Sequence, residues 1–356
     1  MKVKTTRERP FPQPISILKP VKGVDGDLRV NFESFFNLKY MKFEILFSVA
    51  DAGDPAVPVI QELIAKYPRV RARLIIGDVK IGANPKVSNL VSSYAQAQHD
   101  WILISDSNVC VDPDYLYTAI EHFTSDVGVV TAVVSGRRPA ELGGWLEAVF
   151  LNTFYARWML LSRELGNPVV VGKSMLFRKS DLERFGGLKV LSGYLAEDYM
   201  AGIAMLHLKR RVEIMAQPIV QPLSQYSFAA FWSRHVRWGR IRKSQAPQLF
   251  AVEPVFSLWL TGIFGALGFC SLFNFGLGGA SAFVGVHILV WMICDLLMMR
   301  ATDSGLGIKG AFFWFLRESL YLPMWFHIAL SSRVLWRGRK LRLLRGGIVE
   351  TVDSSI

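Results

Sequence analysis

Trp101-Ile102-Leu103-Ile104-Ser105-Asp106-Ser107-Asn108 decides how the chain is read: an apolar, β-favouring run ends in a polar turn carrying one acid. Such a run reads as a buried strand, and the turn after it presents Asp106 at the strand's carboxyl end. Working outward, 15–18, 43–49, 74–76 and 127–134 are β-rich runs of the same kind, while 55–67, 87–98 and 112–123 carry helical patterns between them. Asp54-Pro55 suits a helix cap and first turn, and Asp112-Pro113 has the same form. This alternation predicts an α/β fold, a mainly parallel sheet with flanking helices. Ligands on such sheets bind at the carboxyl ends of the strands, so Asp51 and Asp106 are expected to face one crevice.

The C-terminal third has another character. Apolar residues make up 51% of the 356, and they crowd into 255–331, whereas the charges concentrate in the first 245 residues. Stretches 255–275 and 280–299 each approach the ~20 residues that cross a bilayer, with Gly276, Gly278 and Gly279 marking a turn between them. A third stretch, 311–331, has the length but contains Arg317-Glu318 and Pro323, so it reads as a span, a re-entrant segment or an interfacial one. Asp295 is expected at headgroup level. Segment 143–162 is long and apolar too, but spanning would bury Glu147 and Arg157 at about 2.5–3.5 kcal/mol each. It reads instead as an amphipathic helix, packed on the domain or lying at the interface.

The net charge of +12, set beside that apolar third, points to a membrane surface and not to nucleic acid. The basic stretches 234–243 and 333–345 would both be cytoplasmic by the positive-inside rule, yet three full crossings would separate them. Three widely spaced cysteines, Cys110, Cys270 and Cys294, form no disulfide framework or metal motif and fit a reducing compartment. Residues 1–14 are basic with no apolar core and read as neither signal peptide nor anchor.

Five clusters stand in order: Val49-Ala50-Asp51, Asn84-Pro85-Lys86, Ser105-Asp106-Ser107-Asn108, Ala196-Glu197-Asp198-Tyr199 and Arg234-His235-Val236-Arg237-Trp238. Sugar transfer from a nucleotide diphosphate needs the leaving diphosphate neutralised, the nucleoside held and the acceptor hydroxyl deprotonated. A divalent metal, Mg2+ or Mn2+, bridging a carboxylate and the diphosphate meets the first need, with Asp106 as the natural ligand and Asn108 offering a neutral oxygen or none. Asp51 can accept hydrogen bonds from the nucleoside, and Lys86 at a helix start can pair with phosphates. Asp198, just before the helical run 200–208, can act as the base. Arg234, Arg237 and Trp238, at i, i+3 and i+4, share one helical face suited to diphosphate oxygens, a sugar ring or headgroups. Taken singly, each has an ordinary structural explanation: a turn acid, a solvated lysine, first-turn acids at a helix, a juxtamembrane basic patch. No spacing recommends His207 or His235 as a metal ligand.

Together these residues resemble the ceramide glucosyltransferases of glycosyltransferase family 21, inverting enzymes with a GT-A fold. The similarity covers roughly 14–255 and runs through 16–25, 51–56, 84–90, 104–108 and 195–199, ending at Arg234-x-x-Arg237-Trp238. The resemblance implies that Asp51 binds the nucleoside, Asp106 the metal–diphosphate, and that Asp198 is the general base. It places Arg234, Arg237 and Trp238 near the membrane. The donor implied is UDP-glucose and the acceptor a ceramide-like lipid at the cytoplasmic face, in a bacterial-type inner membrane. Donor-binding residues would be Asp51, Lys86, Asp106 and Arg237; Arg234 and Trp238 would lie on the acceptor side. The expected layout is an arm (1–14), a cytoplasmic GT-A domain (15–232), a juxtamembrane region (233–253), C-terminal membrane helices (255–331) and a basic tail (332–356). Family members usually carry an N-terminal membrane helix, so here the C-terminal segments are expected to anchor the enzyme alone. Rival readings are a hopanoid or other polar-lipid transferase using UDP-N-acetylglucosamine, a processive polysaccharide synthase, and a silent UDP-sugar-binding membrane protein.

Overall fold

The computed structural model describes residues 12–166, 169–336 and 339–351; most of the N-terminal arm and the end of the basic tail lie outside them. The chain divides into two compact units. The first is drawn from residues up to Val133, from Ser162–Ser192 and from Glu197–Val220. The second takes Val134–Leu161, Gly193–Ala196 and the residues from Gln221 on.

The main sheet has seven strands, β1 (Ile15–Val21), β2 (Phe43–Val49), β3 (Ala72–Ile76), β4 (Trp101–Ile104), β5 (Val127–Arg137), β6 (Met175–Arg178) and β7 (Arg211–Pro222), in the order β3-β2-β1-β4-β6-β5-β7. The pairs β2–β3, β1–β2 and β1–β4 are parallel, and β6 runs antiparallel to both β4 and β5. This is the mainly parallel sheet with flanking helices that the alternating pattern and the GT-A resemblance imply. Every residue of β1 is buried, as expected of a strand covered on both faces. Helices Leu28–Phe36, Ala56–Lys66, Pro85–Gln96 and Tyr115–Glu121 flank the sheet.

Local signals place some of these helices and misplace others. Asp54 accepts the Ala56 N–H at 2.9 Å and the Gly23 N–H at 2.9 and 3.0 Å, so it both opens a helix and ties the loop after β1 to it. Asp112 does not cap: the helix begins three residues later at Tyr115, and the Asp112 carboxylate accepts from Gln217 Nε2 at 2.8 Å. Asn84 is the N-cap of Pro85–Gln96, its Oδ1 accepting from Lys86 N at 2.9 Å and Val87 N at 3.2 Å. On the same helix Asn89 donates to the carbonyls of Val21 (3.3 Å) and Ser48 (2.9 Å), pinning the carboxyl ends of β1 and β2.

In the second unit, Leu142–Phe150 continues through a π-helical turn, Leu151–Tyr155, with Glu147 fully buried. Segment 143–162 is thus a packed helix. Leu277–Ala301 is long and apolar enough to cross a membrane, and side chains such as Leu277, Val286 and Leu297 face outward from it. The stretch expected as the first span is bent by 63° between Pro247–Phe256 and Leu258–Phe273, a broken span or a re-entrant loop. Gly307–Ala329 contains Pro323 and buries an Arg317–Glu318 ion pair. Asp295, expected at headgroup level, is 1% exposed, pairs with Arg157 and accepts from Trp314 Nε1 at 2.7 Å. A small antiparallel sheet, β8 (Arg333–Trp336), β9 (Arg339–Leu343) and β10 (Val349–Thr351), ends the unit.

Candidate active site

In the first unit, Asp106 follows β4 and Asp51 follows β2, both at carboxyl ends of the parallel strands. Asp51 is exposed, its Oδ1 accepting the Gly53 N–H at 2.8 Å in a local turn. Asp106 belongs to a tighter group. Lys86 Nζ lies 2.7 Å from Asp106 Oδ1 and 2.7 Å from Glu197 Oε1. Glu197 is held in turn by Asn84 Nδ2 at 3.1 Å, so the residue that caps the helix also orients the acid that grips its lysine. Burial alone would discharge Lys86, but the charges of Asp106, Glu197 and Asp198 raise its pKa and keep it protonated.

Asp198 sits in the first turn of Glu197–His207. Its Oδ2 accepts the Gly172 N–H at 2.7 Å and its Oδ1 the Tyr199 N–H at 2.8 Å. Burial, with the adjacent Glu197 charge, pushes its carboxyl up to about 6 against the pull of Lys86. The backbone comes close here because residue 172 is glycine: a Cβ would stand 2.7 Å from Lys86 Nζ and 3.1 Å from Asp198 Oδ2. Behind Asp106, Lys19 on β1 is fully buried against the Phe35 ring, 3.5 Å from its centroid, and donates to Ser105 Oγ (3.2 Å) and the Asp106 carbonyl (3.0 Å). Burial pushes Lys19 down to about 7 although Asp106 pulls the other way.

Lys86, Asp106 and Asp198 are therefore brought into one cluster, and Glu197, Asn84, Gly172 and Lys19 join it. Glu197 reads in the sequence as a helix-dipole acid, and Lys19 shows there only as a lysine inside an apolar run. Nothing local marks Gly172. Among the described residues no group of three or more His, Cys, Asp or Glu side chains could hold a metal ion. The cluster offers the Asp106 carboxylate, about one-third exposed, which fits an ion carried mainly by a substrate's phosphates and waters. Asn108, the second ligand considered, has its Oδ1 engaged by Lys173 Nζ at 2.9 Å.

Arg234, Arg237 and Trp238 lie on Phe228–Gln245 in the second unit. Arg234 reaches Glu147 Oε1 at 3.1 Å and stacks over Trp238 at 5.2 Å, as their i, i+4 spacing allows. Arg237, on the same helix, lies over Trp336 at 5.7 Å. His235 is buried, its Nε2 2.8 Å from Glu147 Oε2, and burial lowers its pKa. Trp238 packs on Tyr155 and Phe150.

Among solved structures, the fold is similar to a mannosyltransferase from Pyrobaculum calidifontis in complex with GDP-Man and Mn2+, with a TM-score of 0.47 and 13% identity over 91% of this chain and 88% of that one. It is also similar to S. aureus TarS 1-349 in complex with UDP-GlcNAc, with a TM-score of 0.41 and 13% identity over 96% of this chain and all of that one. By sequence the chain is 30% identical to ceramide glucosyltransferase 1 of Caenorhabditis elegans, across 96% of this chain and 74% of the relative. It is 27% identical to the ceramide glucosyltransferase of Komagataella phaffii, across 96% and 84% respectively. With the family model for glycosyl transferase family 21 matching residues 1–349, the chain belongs to that family of glycosyltransferases.

Proposed function

We propose that the protein is a membrane-bound inverting glycosyltransferase that moves glucose from UDP-glucose to a ceramide-like sphingolipid at the cytoplasmic face. The observation that carries this reading is Asp198: a half-buried carboxyl with its pKa raised to about 6, in the charge field of a lysine that grips Asp106. At neutral pH such a group is mostly ionised yet basic enough to take a proton, which is what general base catalysis asks of it.

The acceptor hydroxyl gives its proton to Asp198 as its oxygen bonds to the anomeric carbon from the face opposite the diphosphate. The bond from that carbon to the diphosphate oxygen breaks, UDP leaves with the electron pair, and the configuration inverts. Asp51 holds the nucleoside, and Lys86 and Arg237 take diphosphate charge. Arg234 and Trp238 serve the acceptor and membrane side, and the C-terminal apolar helices anchor the enzyme with more than one crossing. A divalent cation, Mg2+ or Mn2+, held by Asp106 and the donor's phosphates would act as a Lewis acid on the leaving diphosphate.

The test is a screen of purified protein with each UDP-sugar against ceramide, hopanoid and other polar lipids, products read by mass. Glucosylceramide from UDP-glucose is expected. Transfer of N-acetylglucosamine to a hopanoid with none to ceramide, or a polymeric product, overturns the assignment.

A further inference from the structure

The basic residues of the second unit fall into two groups with different surroundings. On the helix Phe228–Gln245, Arg242 pairs with Glu253 at 2.6 Å, and Arg240 donates to the Arg333 carbonyl at 2.7 Å. Lys243 donates to the carbonyls of Ile328, Ala329 and Ser331 at 3.3, 2.8 and 2.9 Å. These three cations are engaged inside the unit and hold the end of Gly307–Ala329 in place.

The sheet β8–β10 is arranged otherwise. Its side chains alternate, with Val334, Leu341, Leu343 and Val349 buried on one face and Arg333, Leu335, Lys340 and Arg342 exposed on the other. The register sets Arg333 opposite Arg342 and Leu335 opposite Lys340, with Glu350 facing Arg342 from β10. Like charges directly opposite each other cost a sheet stability. Among the described residues, Arg333, Lys340 and Arg342 form no ion pair. Lys340 and Arg342 stand on the central strand, so the shielding of a sheet edge does not account for them. Exposed apolar side chains lead into this face: Leu330, at the end of the preceding helix, is 85% exposed, and Leu335, among the cations, is 67% exposed.

We infer that the outward face of β8–β10 is a docking surface for an anionic bilayer. Lipid phosphates relieve the repulsion between Arg333 and Arg342 and pair with Lys340, while Leu335 enters between headgroups beside the hydrocarbon stems of the basic side chains. Of the two basic stretches in the sequence, the helix then holds the unit together through Arg240, Arg242 and Lys243, and the sheet meets the lipid. The inference rests on the membrane-bound reading above and not on its donor or acceptor.

The test titrates the full chain in detergent with phosphatidylglycerol and with phosphatidylcholine of the same acyl chains, and reads bound lipid by native mass spectrometry. Phosphatidylglycerol is expected to bind at least about tenfold tighter. Arg333→Gln/Lys340→Gln/Arg342→Gln should weaken it by about 10²-fold, near fivefold for each cation, and leave phosphatidylcholine within about twofold. Arg333→Lys/Arg342→Lys keeps the charge and should keep the affinity within a few-fold. Equal affinity for the two lipids overturns the inference, and so does a triple variant that binds phosphatidylglycerol like the wild type. Displacement of the lipid by equimolar inorganic phosphate would mark a small-anion site, and a wild-type dimer that the triple variant dissolves would mark a contact between copies; either result overturns it. A chain that stays monodisperse without detergent refutes the membrane-bound reading itself, and the docking surface with it.

Discussion

In the first unit three carboxylates, Asp106, Glu197 and Asp198, gather around Lys86, whereas in the second one carboxylate, Glu147, pairs with both Arg234 and His235. The second arrangement has opposite charges matched at close range and covered by rings, with Phe150 against His235 and Arg234 over Trp238. The first has like charges forced together and one acid left with a raised pKa. Pairing of the second kind fixes a packing arrangement. Crowding of the first kind stores a reactive protonation state and is characteristic of functional sites. The difference says which cluster to ask for chemistry and which for stability, and substitutions can break that division.

The largest effect belongs to the base. Asp198→Asn keeps the size of the side chain and removes the proton acceptor, so kcat should fall by about 10²–10⁴-fold. UDP-glucose binding, measured by calorimetry, should stay within a few-fold. Undiminished turnover would take the base away from Asp198 and dissolve the contrast.

The next largest effect belongs to the matched cluster. Glu147→Ala leaves the partly buried Arg234 and the buried His235 without that carboxylate, and breaking a buried pair from one side costs about 3–5 kcal/mol. Unfolding of the detergent-solubilised protein should register it as a large drop in Tm. Glu147→Gln, which keeps the shape, should cost less. A Glu147 variant with unchanged Tm and a large loss in kcat would move the second cluster to the chemical side.

The same division governs what could be read from the chain beforehand. β2 matches the run 43–49 because a strand buried on both faces is mostly apolar, with the buried Glu44 and Ser48 as its polar exceptions. β1 extends beyond 15–18 to Val21 across Lys19 and Pro20, residues that break the pattern yet remain buried. β7 holds two prolines, Pro218 and Pro222, which argue against a strand; it stands at the sheet's edge, where a missing N–H is tolerated. At the site, Lys86, Asp106 and Asp198 each follow a local signal, a strand end or a helix start. Glu197 matters through a partner 113 residues away, Asn84, and no local pattern carries such a pairing. In the second unit, Glu147 and Arg157 exclude a span at 143–162, but their partners His235 and Asp295 come only with the fold.

The smallest expected effect is the most discriminating, because it tests the crowding itself. Asp198 has a folded-state pKa of about 6 against an ordinary value of 3.8, so the folded protein binds more protons than the unfolded chain between those values. Stability contributed by this group is therefore present at low pH and is lost as pH rises through about 6, while the ionised form needed for transfer appears over the same interval. In the wild type, log kcat/KM should fall with unit slope below about pH 6. Burial is the first cause of the raised pKa and the Glu197 charge the second. Glu197→Gln removes the second cause and leaves the burial, so the acid limb should move to lower pH by about one unit, the size of a near like-charge effect. The measurement is the pH profile of kcat/KM in both proteins at saturating acceptor. A limb that stays in place would mean that burial alone sets the base, and a limb that moves upward would mean that Glu197 acts chiefly by holding Lys86 near Asp198.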